Sequence, residues 1–562
     1  MTSPNITKQP LFYSYKKILT VIILLSSFTI SAKYSNHFTL QDSLRGNITP
    51  ERIWWDLQQY DLSISINPSE KFIRGKNTIS YKVLSKNNRL QIDLQKPMSI
   101  KKVTQDGQNL SFLKNGNIYY INLIKEQTIN HTEKVTIYFE GNPKVSKNPP
   151  WDAAFTWKKD INGIDFIATS CQGEGASMWW PCKDHMYDEP DFGVTMQYTV
   201  PENLMAIGNG RLVKTTSQKK EKTKTYYWKV ISPINNYGVH LSVGNYIHFS
   251  DKYEGLSGLL DCNYYVLKQH YSKAKKHFKE TKRTLDAFEY WFGPYPFYED
   301  SYKLVEVPYL GMEHQSAVTY GNGYQNGYLG QDISATGWGL KFDYIIVHES
   351  GHEWFANSIT YKDVADMWIH EGFTCYAETL FLEYHYGKKA ANEYNIGLRK
   401  GIKNDKTIIG IYNLNQKGSN DMYSKGANML HTIRQVINDD NKWRLLLRAL
   451  NQQFFHKTVS SKQIETFISD FSKIDFSGVF NQYLRTTQIP VLEYKIDDKQ
   501  LYYRWKNVVS NFNMPLKITI NSKVLWIEPK NSWSEMILKE KILKFSIDNN
   551  FYIESNKKTN PL

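Results

Sequence analysis

Between about residue 60 and residue 249 the chain alternates apolar and polar side chains in short runs. Leu62-Ser63-Ile64-Ser65-Ile66 and Leu90-Gln91-Ile92-Asp93-Leu94 keep strict period two, as strands with one face in a core do. Val135-Thr136-Ile137-Tyr138-Phe139 and Lys224-Thr225-Tyr226-Tyr227-Trp228 are rich in β-branched or aromatic residues. A large antiparallel β domain is therefore predicted over 51–250. The period then lengthens. Residues 271–292 read as an amphipathic helix that stops at Gly293-Pro294. A strand-like run at 303–307 and a Gly-, Tyr- and Asn-rich loop at 320–330 follow. Helices are predicted at 339–357, 371–387, 389–404, 424–438, 441–455 and 461–484. After Ile489-Pro490 alternation returns in Leu492-Glu493-Tyr494-Lys495-Ile496 and Lys523-Val524-Leu525-Trp526-Ile527, enough for one small β-sandwich. The pattern predicts a multidomain α+β protein: a flexible polar segment at 33–50, a β domain at 51–250, an α+β domain at 251–488 and a β-sandwich at 489–562.

A length of 562 residues is too great for one core and suits three or four domains, and 41% hydrophobic content argues against disorder. At the N-terminus Lys16 and Lys17 precede an apolar run at 18–30, and Ser31-Ala32 offers a small-residue cleavage site. This is the pattern of a signal peptide over 1–32, with an uncleaved anchor as the alternative. The expected location is periplasmic, secreted or N-terminally anchored, with no stable membrane insertion of the mature chain. Cys171, Cys182, Cys262 and Cys375 are too few for a disulfide framework, although a Cys171–Cys182 bridge is open to an exported chain. The net charge of +14 favours anionic surfaces such as lipid headgroups. The lysines read as dispersed and no nucleic-acid motif is present, so the charge reads as a solvated surface.

Residues 348–352 are His-Glu-Ser-Gly-His, and Glu371 follows after a gap of eighteen. His348 and His352 are four apart and leave one helical face a turn apart, so both can hold one metal ion. A carboxylate from the next helix, Glu371, would supply a third ligand and leave one position open. Two imidazoles with one carboxylate suit a single Zn2+. Glu349 sits beside a ligand without easy reach of the metal and fits a general base. The competing reading is a surface helix with two solvated histidines. The apolar residues on both sides, Phe342 to Val347 and Trp354-Phe355-Ala356, favour a buried helix instead.

Four stretches in order resemble the zinc aminopeptidases typified by aminopeptidase N and leukotriene A4 hydrolase. They are Ser170-Cys171-Gln172 through Trp180-Pro181-Cys182, Gly311-Met312-Glu313-His314, the metal motif with Trp368-Ile369-His370-Glu371-Gly372-Phe373, and Tyr423-Ser424-Lys425-Gly426. The resemblance implies a thermolysin-like catalytic domain and hydrolysis of N-terminal residues from peptides with a free N-terminus. It implies Tyr423 as the oxyanion stabiliser, Glu313 and Gln172 as holders of the substrate amine, and Gly311 and Met312 as backbone contacts. Glu174 competes with Gln172 for its place. Asp366 and Glu378 are candidates to support the histidines. His314 and His370 stand where the family usually has Asn. The family's large C-terminal helical domain has no counterpart after the sandwich, which implies a more open cleft. A zinc endopeptidase on the same scaffold, with Glu313 not an anchor, is the alternative function.

Overall fold

The computed structural model describes residues 38–559 apart from residue 153. The leader pattern at 1–32 lies outside the described residues. Within the polar segment 33–50, read as flexible, helix Leu40–Gly46 is closed by a capping box between Thr39 and Asp42. The buried Arg52 guanidinium ties this segment to the β domain: it donates to the carbonyls of Arg45 and Asn47 and pairs with Asp93 at 2.7 Å.

The largest sheet has eight strands, with Trp55–Asn67 flanked by Phe72–Val83 and Val194–Pro201. Period two holds as read: Leu62, Ile64 and Ile66 are all buried in one core. The sheet is not wholly antiparallel, because Trp55–Asn67 runs parallel to Val194–Pro201, with Tyr60 opposite Val194. More than a hundred residues and nine other strands separate the pair, which supplies the long crossover a parallel pair needs.

A second, five-stranded sheet runs in the order Tyr246–Gly255, Gly258–Leu267, Tyr302–Glu306, Val318–Tyr320, Gly311–Met312. Its last strand carries the Gly-Met-Glu segment to the edge of the catalytic cavity. Helices pack behind it. The predicted helix at 271–292 is two, Tyr271–His277 and Glu280–Phe292, and that at 461–484 is also two, Ser461–Ser472 and Ser477–Arg485. Lys473 ends the first of the latter pair in a left-handed conformation, at φ 62°. The chain finishes in a four-stranded and a three-stranded sheet centred on Val491–Asp497 with Gln500–Lys506 and on Leu516–Ile520. All four cysteines are buried and unpaired, so the Cys171–Cys182 bridge is not formed.

Candidate active site

The histidine helix is shorter than the apolar run suggests. Asp343 caps it by accepting from the Ile346 amide at 3.1 Å, and regular α-helix spans Tyr344–Gly351. A π-helical turn, Glu353–Ser358, follows, with Phe355 off helical angles at φ −122° and ψ 80°. This departure frees the Phe355 carbonyl to accept from His352 Nδ1 at 3.0 Å. A carbonyl only accepts, so Nδ1 carries the proton and Nε2 keeps its lone pair. His348 Nδ1 bonds Glu378 Oε1 at 2.7 Å, which likewise leaves Nε2 free; the other Glu378 oxygen accepts from Tyr394.

Helix Trp368–Tyr386 brings Glu371 against this face. Glu371 Oε2 lies 3.4 Å from His352 Nε2 and 3.8 Å from His348 Nε2. This buried oxygen has no hydrogen-bond partner. Two imidazole lone pairs and a bare carboxylate oxygen thus converge, with ligand atoms within 4.8 Å of one another. Three acceptors sharing one buried point need a cation between them, and the donor set fits zinc. Burial works against ionisation of Glu371, whereas positive charge at His352 and His348, or a cation bound between them, holds its carboxyl well below the usual range.

Of the two supporting carboxylates expected from sequence, Glu378 does support a histidine and Asp366 does not. Asp366 accepts instead from Tyr412 at 2.6 Å and from the Ser461 amide at 3.0 Å. Its place in the turn Val364–Asp366, before the helix, points it away from the histidines.

The cavity over these residues has a volume of about 320 Å3 and is lined by Gln172, Gly311, Met312, Glu313, Glu349 and Tyr423 besides the three candidate ligands. The residues expected from sequence as metal ligands, catalytic groups and substrate contacts are therefore in one place, and Asp366 is not among them. Glu349, Glu313 and His352 form a second close cluster. Burial pushes the Glu349 carboxyl up to about 7 against the pull of His348; a bound cation would draw it down again. Strand Gly311–Met312 lies so near the histidine helix that a Cβ at Gly311 would meet Ile345 Cγ2 at 2.5 Å, which is why a glycine stands there. The Tyr423 ring lies over His348, with centroids 6.1 Å apart, at the start of helix Ser424–Ile437.

Glu313 is 2% exposed. Its Oε1 accepts from Gln172 Nε2 at 2.6 Å and from the Tyr237 hydroxyl at 3.1 Å. Gln172 Nε2 also reaches Glu371 Oε1 at 2.7 Å, so one amide bridges the two carboxylates. Of Gln172 and Glu174, Gln172 lines the cavity and Glu174 does not. Burial raises the Glu313 carboxyl, and Glu371 pushes it further while His352 pulls it back.

Sequence reasoning missed Tyr237, one of 39 tyrosines, in the short turn Asn236–Gly238. His370 explains its orientation. His370 Nε2 accepts from the Tyr361 amide at 2.9 Å, so its Nδ1 carries hydrogen and faces the Tyr237 hydroxyl at 3.4 Å. Burial pushes the His370 imidazole well below its usual value and keeps it neutral. A chain of hydrogen bonds thus runs from His370 through Tyr237 to Glu313. His314, by contrast, turns away from the cavity and packs on His240, with ring centroids 4.1 Å apart. Trp151, Tyr328, Lys417 and Asn420 also border the cavity and carry no motif signal.

Comparison with known proteins agrees with this geometry. The chain is 21% identical over 406 residues to leucyl aminopeptidase of Saccharolobus solfataricus, covering 68% of this chain and 50% of that protein. It is 22% identical to leukotriene A-4 hydrolase of Xenopus laevis, covering 80% and 74% respectively, and 21% identical to aminopeptidase N of Lactococcus lactis, covering 79% and 52%. The chain thus spans about half the length of the first and the last of these. A variant M1 zinc metallopeptidase from Deinococcus radiodurans shares the fold, with a TM-score of 0.64 at 20% identity over 77% of this chain and 95% of that one. A Tyr-Ser-Ala complex of that metallopeptidase superposes with the same TM-score at 19% identity. Residues 57–237 match the peptidase M1 N-terminal domain and residues 276–483 the peptidase family M1 domain, so with both parts in sequence and their residues meeting in one cavity the chain belongs to peptidase family M1.

Proposed function

We propose that the protein is a zinc-dependent aminopeptidase that removes N-terminal residues from peptides. The observation that carries this reading is the shared cavity: a three-acceptor cation site and a buried carboxylate, Glu313, joined by the side chain of Gln172. His348, His352 and Glu371 would hold the zinc, which when bound polarises a carbonyl and acidifies water. The substrate's ammonium pairs with Glu313, replacing the Gln172 amide hydrogen as its donor. This fixes the scissile bond one residue from the chain end. Glu349 takes the proton of the attacking water and passes it to the leaving amine. The Tyr423 hydroxyl donates to the oxygen on which charge develops.

Export of the protein is part of the same proposal and rests on the charged, apolar and small-residue pattern of 16–32. No helix among the described residues is long and apolar enough to cross a membrane.

The test is a time course of peptide digestion read by mass spectrometry on zinc-loaded protein. The expected products are a ladder of single-residue truncations from the N-terminus. Internal fragments appearing first would replace this reading with the endopeptidase one.

A further inference from the structure

The lysines are less dispersed than the sequence first suggests. Residues 268–283 hold seven bases, Lys268, Lys273, Lys275, Lys276, Lys279, Lys282 and Arg283, against one acid, Glu280. Glu280 is buried and paired with Arg283 at 2.7 Å, and Lys282 pairs with Asp286. The other five lysines are exposed and form no ion pair among the described residues. Helix Tyr271–His277 sets Lys273 and Lys276 along one wall of a hollow of about 510 Å3, and Lys279 and Arg283 close it. His277 in the same hollow is tied to the buried Asp343 at 2.7 Å.

Beside the bases lies an apolar and aromatic rim. Arg283 donates to the Tyr386 hydroxyl at 3.0 Å, and that hydroxyl donates to the Lys341 carbonyl at 3.1 Å. The Trp338 ring packs at a tilt against that of Tyr386, with centroids 5.9 Å apart. Asn326, from the floor of the hollow, donates to the Leu340 carbonyl at 3.1 Å. Leu340 and Tyr386 are 44% and 38% exposed, and Lys341 between them is a further exposed base. Bases that meet phosphates, next to Trp, Tyr and Leu that enter the acyl boundary, are the combination an interfacial surface needs. A soluble polyanion would need only the bases.

We infer that this face docks the protein peripherally on an anionic lipid bilayer. Lys273, Lys276 and Lys279 meet headgroup phosphates, and Leu340 and Tyr386 sit in the interface. The loop 320–330 connects the face to the catalytic cavity, for Gly323, Tyr324 and Asn326 line the hollow while Tyr328 lines the cavity. Docking would therefore hold the cavity close to the membrane surface.

The test is co-sedimentation of the full chain with vesicles of phosphatidylcholine alone or with about one third phosphatidylglycerol, at about 0.1 M salt. Binding is expected only to the anionic vesicles. Each lysine close to such a surface strengthens binding about fivefold, so the triple variant K273E/K276E/K279E should bind at least a hundredfold more weakly. Its melting temperature should match the parent's, showing that it is folded. Both chains share the same N-terminal residues, so any binding by those cancels. The double variant L340S/Y386S should lose vesicle affinity several-fold and retain its affinity for inorganic polyphosphate. No binding to anionic vesicles, binding unchanged in a folded triple variant, or a double variant equal to the parent on vesicles would each overturn the inference. The last would mark a polyanion site instead.

Discussion

The two ends of the catalytic cavity are built in different ways. The cation end comes from two helices of one domain: His348 and His352 a turn apart, and Glu371 near the start of the next long helix. The amine end is gathered from three distant segments. Gln172 is 141 residues from Glu313, and Tyr237 is 76 residues from it. A local cluster can be held by the stiffness of its helices. A distributed one depends on how the β domain seats against the catalytic domain. Hydrogen bonds across that junction, from Asn209 Nδ2 to the Gln315 carbonyl at 2.7 Å and from Asn235 Nδ2 to the Ala356 carbonyl at 3.3 Å, fix the seating. The cation end should therefore tolerate change at the domain junction, whereas the amine end should not.

The comparison can be broken by substitutions that separate the two ends. The largest effect belongs to neither. Glu349→Gln removes the base that serves the reaction, and kcat should fall by roughly a thousandfold or more while zinc content and KM change little; stopped assays beside metal analysis by mass spectrometry check this. At the amine end, Glu313→Gln keeps the shape but loses the charge that pairs with an ammonium. Its kcat/KM on a free aminoacyl reporter should drop about a hundredfold, with one zinc per chain retained. At the cation end, Glu378→Gln weakens the support of His348. Competition with a chelator should show metal affinity reduced by roughly 10- to 100-fold, and activity should recover in excess zinc. The smallest effect is that of Tyr237→Phe, which deletes one hydrogen bond to Glu313. It should raise KM by about tenfold at unchanged kcat and zinc content. If Tyr237→Phe loses zinc, the two ends are not separable and the contrast fails.

The same contrast explains what could be read from sequence. The triad was legible because helical spacing and a fixed offset encode it. The strands of the β domain were legible from period two, since Leu62, Ile64 and Ile66 all face one core. Glu313, Gln172 and Tyr423 were reached through resemblance and not through spacing, because their neighbours in space are far away in sequence. Tyr237 and the neutral His370 were out of reach for that reason. Nothing in a run such as Asn236-Tyr237-Gly238 distinguishes a tyrosine that orients a carboxylate from one that packs. Asp366 was misplaced because proximity along the chain to Glu371 says nothing about the direction of a side chain in the turn before a helix. The parallel strand pair escaped notice because period two is the same in parallel and antiparallel neighbours.

The central claim is that a cation site and an amine anchor act on one substrate. It is tested most directly by the ratio of kcat/KM for a peptide with a free N-terminus to that for its N-acetylated twin, measured for the parent chain and for Glu313→Gln. The parent ratio should exceed about a hundred and collapse to below about ten in the variant through loss of the free-peptide rate alone. Equal rates on both peptides in the parent, or a ratio that survives the substitution, would contradict it.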